Sequence, residues 1–247
     1  MIPKRIHYCW FGRNPLPESA QKCIASWRRY LPDFDIIEWN EDNFDVNSIP
    51  YTAQAYEAKK YAFVSDYARF KILYEQGGLY FDTDVEVIKP FDSILANGPF
   101  MGFEVDPNPA RPHGAVAAGL GIGAEKGMSL YRAILDYYRT LDFIHPDGSF
   151  NMTDAVVNIT TRELVKCGLQ DMPGIQTVAD TTIYPADFFN PLEDATGRLR
   201  ITANTHSIHW FTKTWLNQSP FRQKAARLFH RVFGVNAMQN IRKIIKL

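Results

Sequence analysis

The run Leu79-Tyr80-Phe81-Asp82-Thr83-Asp84-Val85 sets two carboxylates two residues apart at the end of an apolar strand. In an extended chain, residues i and i+2 project to the same side. Carboxylates so placed repel each other unless a cation lies near both, and a hard divalent ion with oxygen ligands meets that need. Such an ion also bridges a diphosphate and neutralises the charge that grows on it as it leaves. The bare triplet has a second reading, two solvated turn carboxylates, because short motifs recur by chance. Its apolar flank and the preceding Gly77-Gly78 favour a site. Upstream, Asp66 and Arg69 lie three apart and share a helix face. An acid that accepts and a guanidinium that donates suit the hydroxyls of a sugar or ribose. The competing reading is a surface ion pair of little energetic weight.

These residues need elements to position them. Residues 5–11 read as a short buried strand ended by Gly12, residues 18–30 as a helix stopped by Pro32, and 35–39 as a second strand. This β-α-β opening starts an α/β sheet. Residues 51–60 and 62–76 read as helices, the second with Phe63, Tyr67, Phe70 and Tyr74 at core spacing and Gly77-Gly78 at its end. The strand begun at Leu79 is expected to run extended through Asp84 to Ile88. Further on, 99–105 reads as a strand, 106–118 as a loop, 119–123 as a glycine-rich strand or turn, and 128–141 and 153–167 as helices. Residues 180–197 read as short extended pieces, 199–211 as extended, and 220–247 as one or two amphipathic helices interrupted near Gly234.

The chain of 247 residues fits one domain with appendages. Its balanced 27 basic and 27 acidic residues hide an asymmetry, because no Asp or Glu follows Asp194. Ten Lys and Arg lie beyond it, leaving an acidic body and a basic end. The body suits a metal and the end suits an anionic partner, with surface charge balance as the plainer alternative. Three scattered cysteines, Cys9, Cys23 and Cys167, form no disulfide framework or zinc spacing and are expected in a reducing setting. The first residues lack a signal-peptide core, and no run of apolar residues is long enough to span a membrane.

Ala62-Phe63-Val64-Ser65-Asp66-Tyr67-Ala68-Arg69, followed by Ile72 through Gly77-Gly78-Leu79-Tyr80-Phe81-Asp82-Thr83-Asp84, resembles the D-x-D sugar-binding region of family 32 glycosyltransferases. That family includes bacterial capsular and lipopolysaccharide enzymes and the yeast initiating mannosyltransferase. A similar pattern occurs in the large clostridial glucosylating toxins. Ile2-Pro3-Lys4-Arg5-Ile6-His7-Tyr8-Cys9-Trp10-Phe11-Gly12 is similar to the family's opening strand, and Ser207-Ile208-His209-Trp210-Phe211-Thr212-Lys213-Thr214-Trp215 to its closing pattern. Phe211 and Thr214 are mild departures, standing on the family's Trp and Ser.

The resemblance implies an α/β fold of the GT-A type: a mixed, mostly parallel sheet flanked by helices. One domain over 1–219 would carry a basic helical tail over 220–247. It implies a glycosyltransferase (hexosyl or N-acetylhexosaminyl) that takes a UDP- or GDP-linked sugar to a saccharide or lipid-linked saccharide acceptor in surface polysaccharide synthesis. Retention of anomeric configuration is also implied. Asp82 and Asp84 would be catalytic and, with His209, hold Mn²⁺ or Mg²⁺. Trp10 would stack on the base, and Ser65, Asp66, Arg69, Tyr80, Thr214 and Trp215 would bind the donor. His206 is a weaker candidate, and Asp154 reads as a helix cap. No nucleic-acid partner is expected. The expected location is cytoplasmic; the tail would either meet an anionic membrane surface, which would set the protein at the inner membrane face, or pack on the domain with a basic outer face. Rival readings are a toxin-like transferase acting on protein, a nucleotide-sugar hydrolase or phosphotransferase, and a non-catalytic carbohydrate-binding module.

Overall fold

The computed structural model describes residues 1–212 and 220–233, the latter with side chains at 225–231. The chain opens with β1 (Arg5–Cys9), α1 (Glu18–Tyr30), β2 (Asp35–Trp39), α2 (Pro50–Glu57), α3 (Tyr61–Gln76) and β3 (Gly78–Tyr80). It continues through β4 (Val85–Val87), α4 (Asp92–Leu95), β5 (Phe100–Val105), β6 (Ala115–Ala117), β7 (Ile122–Ala124), α5 (Ser129–Tyr138) and α6 (Val156–Lys166). It ends with β8 (Gln176–Val178), β9 (Thr181–Tyr184), α7 (Ala186–Phe189), β10 (Leu192–Glu193), β11 (Arg198–Leu199), β12 (Ser207–His209) and α8 (Pro220–Phe233).

Eight strands form the main sheet, in the order β2-β1-β3-β7-β5-β9-β8 with β6 also paired to β5. β2, β1, β3, β5 and β9 run one way, and β7, β6 and β8 run against them. This is the mixed, mostly parallel GT-A-type sheet expected, and the β-α-β opening supplies its first two strands in parallel register. Alternation along the strands feeds two cores, as a sheet covered on both faces requires. Ile6, Leu79 and Phe100 turn to a core shared with Ile24 and Trp27 of α1, whereas Tyr80 and Met101 turn to one shared with α2, α3, α5 and α6.

Gly77 and Gly78 end α3 with φ of +65° and +109°, conformations in which glycine is at ease and other residues are strained. A Cβ on Gly78 would stand 2.8 Å from the Arg5 carbonyl oxygen, so the close approach of β3 to β1 also needs glycine there. His7 of β1 is fully buried beside it, its Nε2 3.0 Å from the Gly77 carbonyl and its Nδ1 accepting from the Trp39 indole at 3.0 Å. Burial pushes its pKa down to about 4.

Three local expectations are corrected. Asp82-Thr83-Asp84 is a turn between β3 and β4, not a continuous extended segment, because β4 leaves the main sheet to pair with β12. Residues 115–117 form β6 within what reads as a proline-rich loop. Of residues 199–211, strand structure beyond Leu199 is confined to β12. All three cysteines are free.

No helix among the described residues is long and apolar enough to cross a membrane. α8 packs on the β10–β11 hairpin. Arg227 donates from Nε to the Asp194 carbonyl and from Nη2 to its carboxylate, each at 3.0 Å. Arg231 donates to the carbonyls of Thr196 and Gly197, and His230 Nδ1 lies 3.0 Å from that of Ala195. Residues 234–247 of the expected tail lie outside the described residues.

Candidate active site

The D-x-D turn is held from several sides. The Val85 amide closes it on the Asp82 carbonyl at 3.0 Å, and the Asp82 amide donates to the Gly119 carbonyl at 3.3 Å. Buried Trp27 of α1 donates its indole N–H to the Val85 carbonyl at 2.7 Å. β12 pairs antiparallel with β4 and sets His209 opposite Val85, and the Trp210 amide adds a bond to the Asp84 carbonyl at 3.0 Å.

These constraints give the two carboxylates different partners. Asp84 Oδ1 lies 3.1 Å from His209 Nε2, and its Oδ2 accepts from the amide and hydroxyl of Thr212 at 2.8 and 3.0 Å. Burial raises the Asp84 pKa, but the ion pair with His209 and the Thr212 bonds outweigh it and hold the carboxyl well below the usual range. Burial pushes the other way on His209, where Asp84 prevails and raises the imidazole. Asp82 accepts from Tyr80 Oη at 3.1 Å and from Arg69 Nη1 at 3.4 Å, and its Oδ1 lies 3.2 Å from Arg69 Nη2.

Arg69 joins the turn to α3. It pairs with Asp66 at 2.8 Å and donates from Nε to the Ser65 carbonyl at 3.1 Å. Its guanidinium also lies 4.9 Å over the Tyr80 ring. The surface ion-pair reading fails here, since the Arg69 and Asp66 side chains are only 4% and 13% exposed. Burial pushes the Asp66 carboxyl up to about 7, Arg69 pulling it down and Asp82 adding to the rise.

All of this faces a cavity of about 650 Å³. Trp10, Ser65, Asp66, Arg69, Asp82, Asp84 and His209 line it, so the structure gathers these expected residues in one place. Trp10 follows the end of β1, half-buried, with its indole N–H on the Asn14 carbonyl at 2.6 Å. Tyr80 does not line the cavity: it is buried behind the wall, its hydroxyl on Asp82 and its ring under the Arg69 guanidinium. His206 also lies apart, buried against Phe91 and Phe188. Asp154 caps no helix, since α6 starts after Ala155 without a side-chain cap; instead it accepts from Tyr137 and Asn151. Thr214 and Trp215 lie outside the described residues. Sequence reasoning missed Thr212, whose two bonds to Asp84 become visible only once β12 is set beside β4. It also missed Glu104, Met152 and Val156, which line the cavity from other segments.

Asp82, Asp84 and His209 each offer a ligand atom, all within 4.8 Å of one another. Two carboxylates and an imidazole form a donor set suited to a manganese-like divalent ion. His209 Nε2 and Asp84 Oδ1 already converge at 3.1 Å with Asp82 beside them, so these residues fit a metal.

Residues 17–101 match the family model for a glycosyltransferase sugar-binding region containing a DXD motif. Inositol phosphoceramide mannosyltransferase 1 of Schizosaccharomyces pombe is 31% identical over 116 residues, covering 40% of this chain and 33% of its own. Initiation-specific alpha-1,6-mannosyltransferase of Candida albicans is 26% identical over 128 residues, 43% of this chain and 33% of its own. The chain thus spans about a third of the length of these curated relatives. The solved structure of PaToxG Glycosyltransferase shares the fold, with a TM-score of 0.50 at 20% identity over 67% of this chain and 69% of its own. The resemblance read from the motif run is borne out over the matched stretch.

Proposed function

We propose that this chain is a metal-dependent glycosyltransferase that uses a nucleoside diphosphate sugar, UDP- or GDP-linked, and transfers a hexose. The observation that carries the reading is the convergence of Asp82, Asp84 and His209 with the Asp66–Arg69 pair and Trp10 on one cavity. The mannosyltransferase relatives favour a hexose. Residues 1–219 form the catalytic domain in this reading, and the acceptor is a saccharide or lipid-linked saccharide of surface polysaccharide synthesis.

Trp10 offers a flat face to the base at the open end of β1. Asp66 accepts from sugar or ribose hydroxyls while Arg69 keeps Asp66 and Asp82 in place. Asp84 and His209, with Asp82, would hold Mn²⁺ or Mg²⁺. Bound there, the ion supplies charge neutralisation at the departing diphosphate. In the transfer, the bond from the anomeric carbon to the diphosphate oxygen breaks and one to the acceptor oxygen forms. The acceptor's proton goes to the leaving diphosphate, which suits a retaining reaction without a dedicated base.

The test is a thermal-shift screen of nucleotides and nucleotide sugars with and without Mn²⁺, since a ligand of the folded state raises its melting temperature. A metal-dependent rise with one nucleotide sugar is expected, lost in Asp84→Ala together with turnover. Full activity of Asp84→Ala without metal would overturn the mechanism. Sugar binding indifferent to nucleotide and metal would instead favour a carbohydrate-binding module.

A further inference from the structure

The β10–β11 hairpin carries features that the proposed reaction does not use. Residues 198–201 read Arg-Leu-Arg-Ile, and all four are exposed. Leu199 and Ile201 are 42% and 57% exposed. Neither the Arg198 nor the Arg200 guanidinium has an ionic or hydrogen-bond partner among the described residues. Beside them, Gly197, Arg227, Leu228 and Arg231 wall a hollow of about 260 Å³, and Leu228 is 62% exposed.

The patch is stiff. Arg227 and Arg231 bind α8 to the hairpin carbonyls, and Leu192, opposite Leu199, packs in a cluster with Ile208 and Phe211. It is also unbalanced in charge. Asp194 is paired with Arg227, Glu193 lies opposite Arg198 across the hairpin and accepts from the Thr196 hydroxyl, and Asp187 accepts from Thr202 and Asn204, so the four guanidiniums of Arg198, Arg200, Arg227 and Arg231 outnumber the three carboxylates. From residue 195 onward every charged side chain is basic.

Exposed aliphatic groups gain by leaving water, and unpaired guanidiniums gain by meeting anions. An anionic bilayer offers both, acyl chains beneath a layer of phosphates. The four-residue run lacks the aromatic anchors that centre most protein interfaces. We infer that residues 198–201 and the adjoining face of α8 dock on an anionic lipid surface. Leu199, Ile201 and Leu228 enter the headgroup layer, Arg198 and Arg200 meet lipid phosphates, and one headgroup sits in the hollow beside Arg227 and Arg231. This extends the membrane contact from the first part of the expected tail to a folded hairpin, and it stands whether or not the transferase reading does.

The test is co-sedimentation of the full chain with vesicles rich in phosphatidylglycerol, with pure phosphatidylcholine vesicles as control, at low salt and without donor. Binding to the anionic vesicles alone is expected. Leu199→Glu/Ile201→Glu and Arg198→Gln/Arg200→Gln, both leaving 220–247 intact, should each lower partitioning by roughly tenfold or more. Unchanged melting temperatures would show that the variants are folded. Wild-type protein that ignores anionic vesicles overturns the proposal, as does equal binding by folded variants. So does displacement from vesicles by inorganic phosphate that also raises the melting temperature, which would mark a site for free phosphate.

Discussion

Replacing Gly119 with alanine tests the D-x-D turn without replacing any proposed ligand. A Cβ there would stand 2.1 Å from Asp82 Oδ2 and 3.3 Å from Arg69 Nη1. Ordinary contact begins near 3.4 Å, so the carboxylate must retreat by about 1.3 Å. Gly119 has no positive φ, so alanine adds no backbone strain. The retreat breaks the geometry that Tyr80 and Arg69 impose on Asp82 at 3.1 and 3.2 Å. A misplacement of about 1 Å in a catalytic group costs on the order of 100-fold in rate, or about 2.7 kcal/mol of barrier. Two assays read it: release of nucleoside diphosphate from UDP- and GDP-linked sugars, and the melting-temperature rise given by Mn²⁺ alone. Gly119→Ala should lose about 100-fold in turnover and most of the Mn²⁺ response while remaining folded. Wild-type turnover with a wild-type Mn²⁺ response would refute the placement of Asp82 in the site.

Two further outcomes are expected. His7 has a folded pKa of about 4 against 6.5 unfolded, so the unfolded chain takes the proton first as pH falls. Stability is therefore full above pH 6.5 and declines towards pH 4, by about 3 kcal/mol from this group; urea unfolding of His7→Gln should show a flatter loss over that window. Trp27→Phe keeps most of the buried ring but removes the indole bond to the Val85 carbonyl, and should lower unfolding free energy by about 1–3 kcal/mol with some loss of turnover, since that bond braces the turn.

Local pattern made the opening legible. Residues 18–30 and 35–39 carry their own stop and burial signals, and the structure keeps those bounds. Helix α3 was equally readable because Phe63, Tyr67 and Phe70 mark its buried face and Gly77 its end. The turn at Asp82-Thr83-Asp84 was not, because an apolar run does not record that β4 leaves one sheet to pair with another. Ala115–Ala117 hid for a related reason: small residues flanked by a proline-rich loop carry no strand signal, and only pairing with β5 makes them one. In the site, Asp66 and Arg69 were visible as a helical pair, but their burial was not. Thr212 was invisible because its partner Asp84 is 128 residues away.

That separation governs when the chain acquires its chemistry during synthesis. β4 cannot form its ladder until β12 exists, and Asp84 lacks His209 and Thr212 until then. Loop closure over such a span carries an entropic cost that must be met before the contacts repay it. A growing chain therefore holds both aspartates long before the centre is complete. β12, the last strand among the described residues, must therefore be in place before Asp82, Asp84 and His209 can converge.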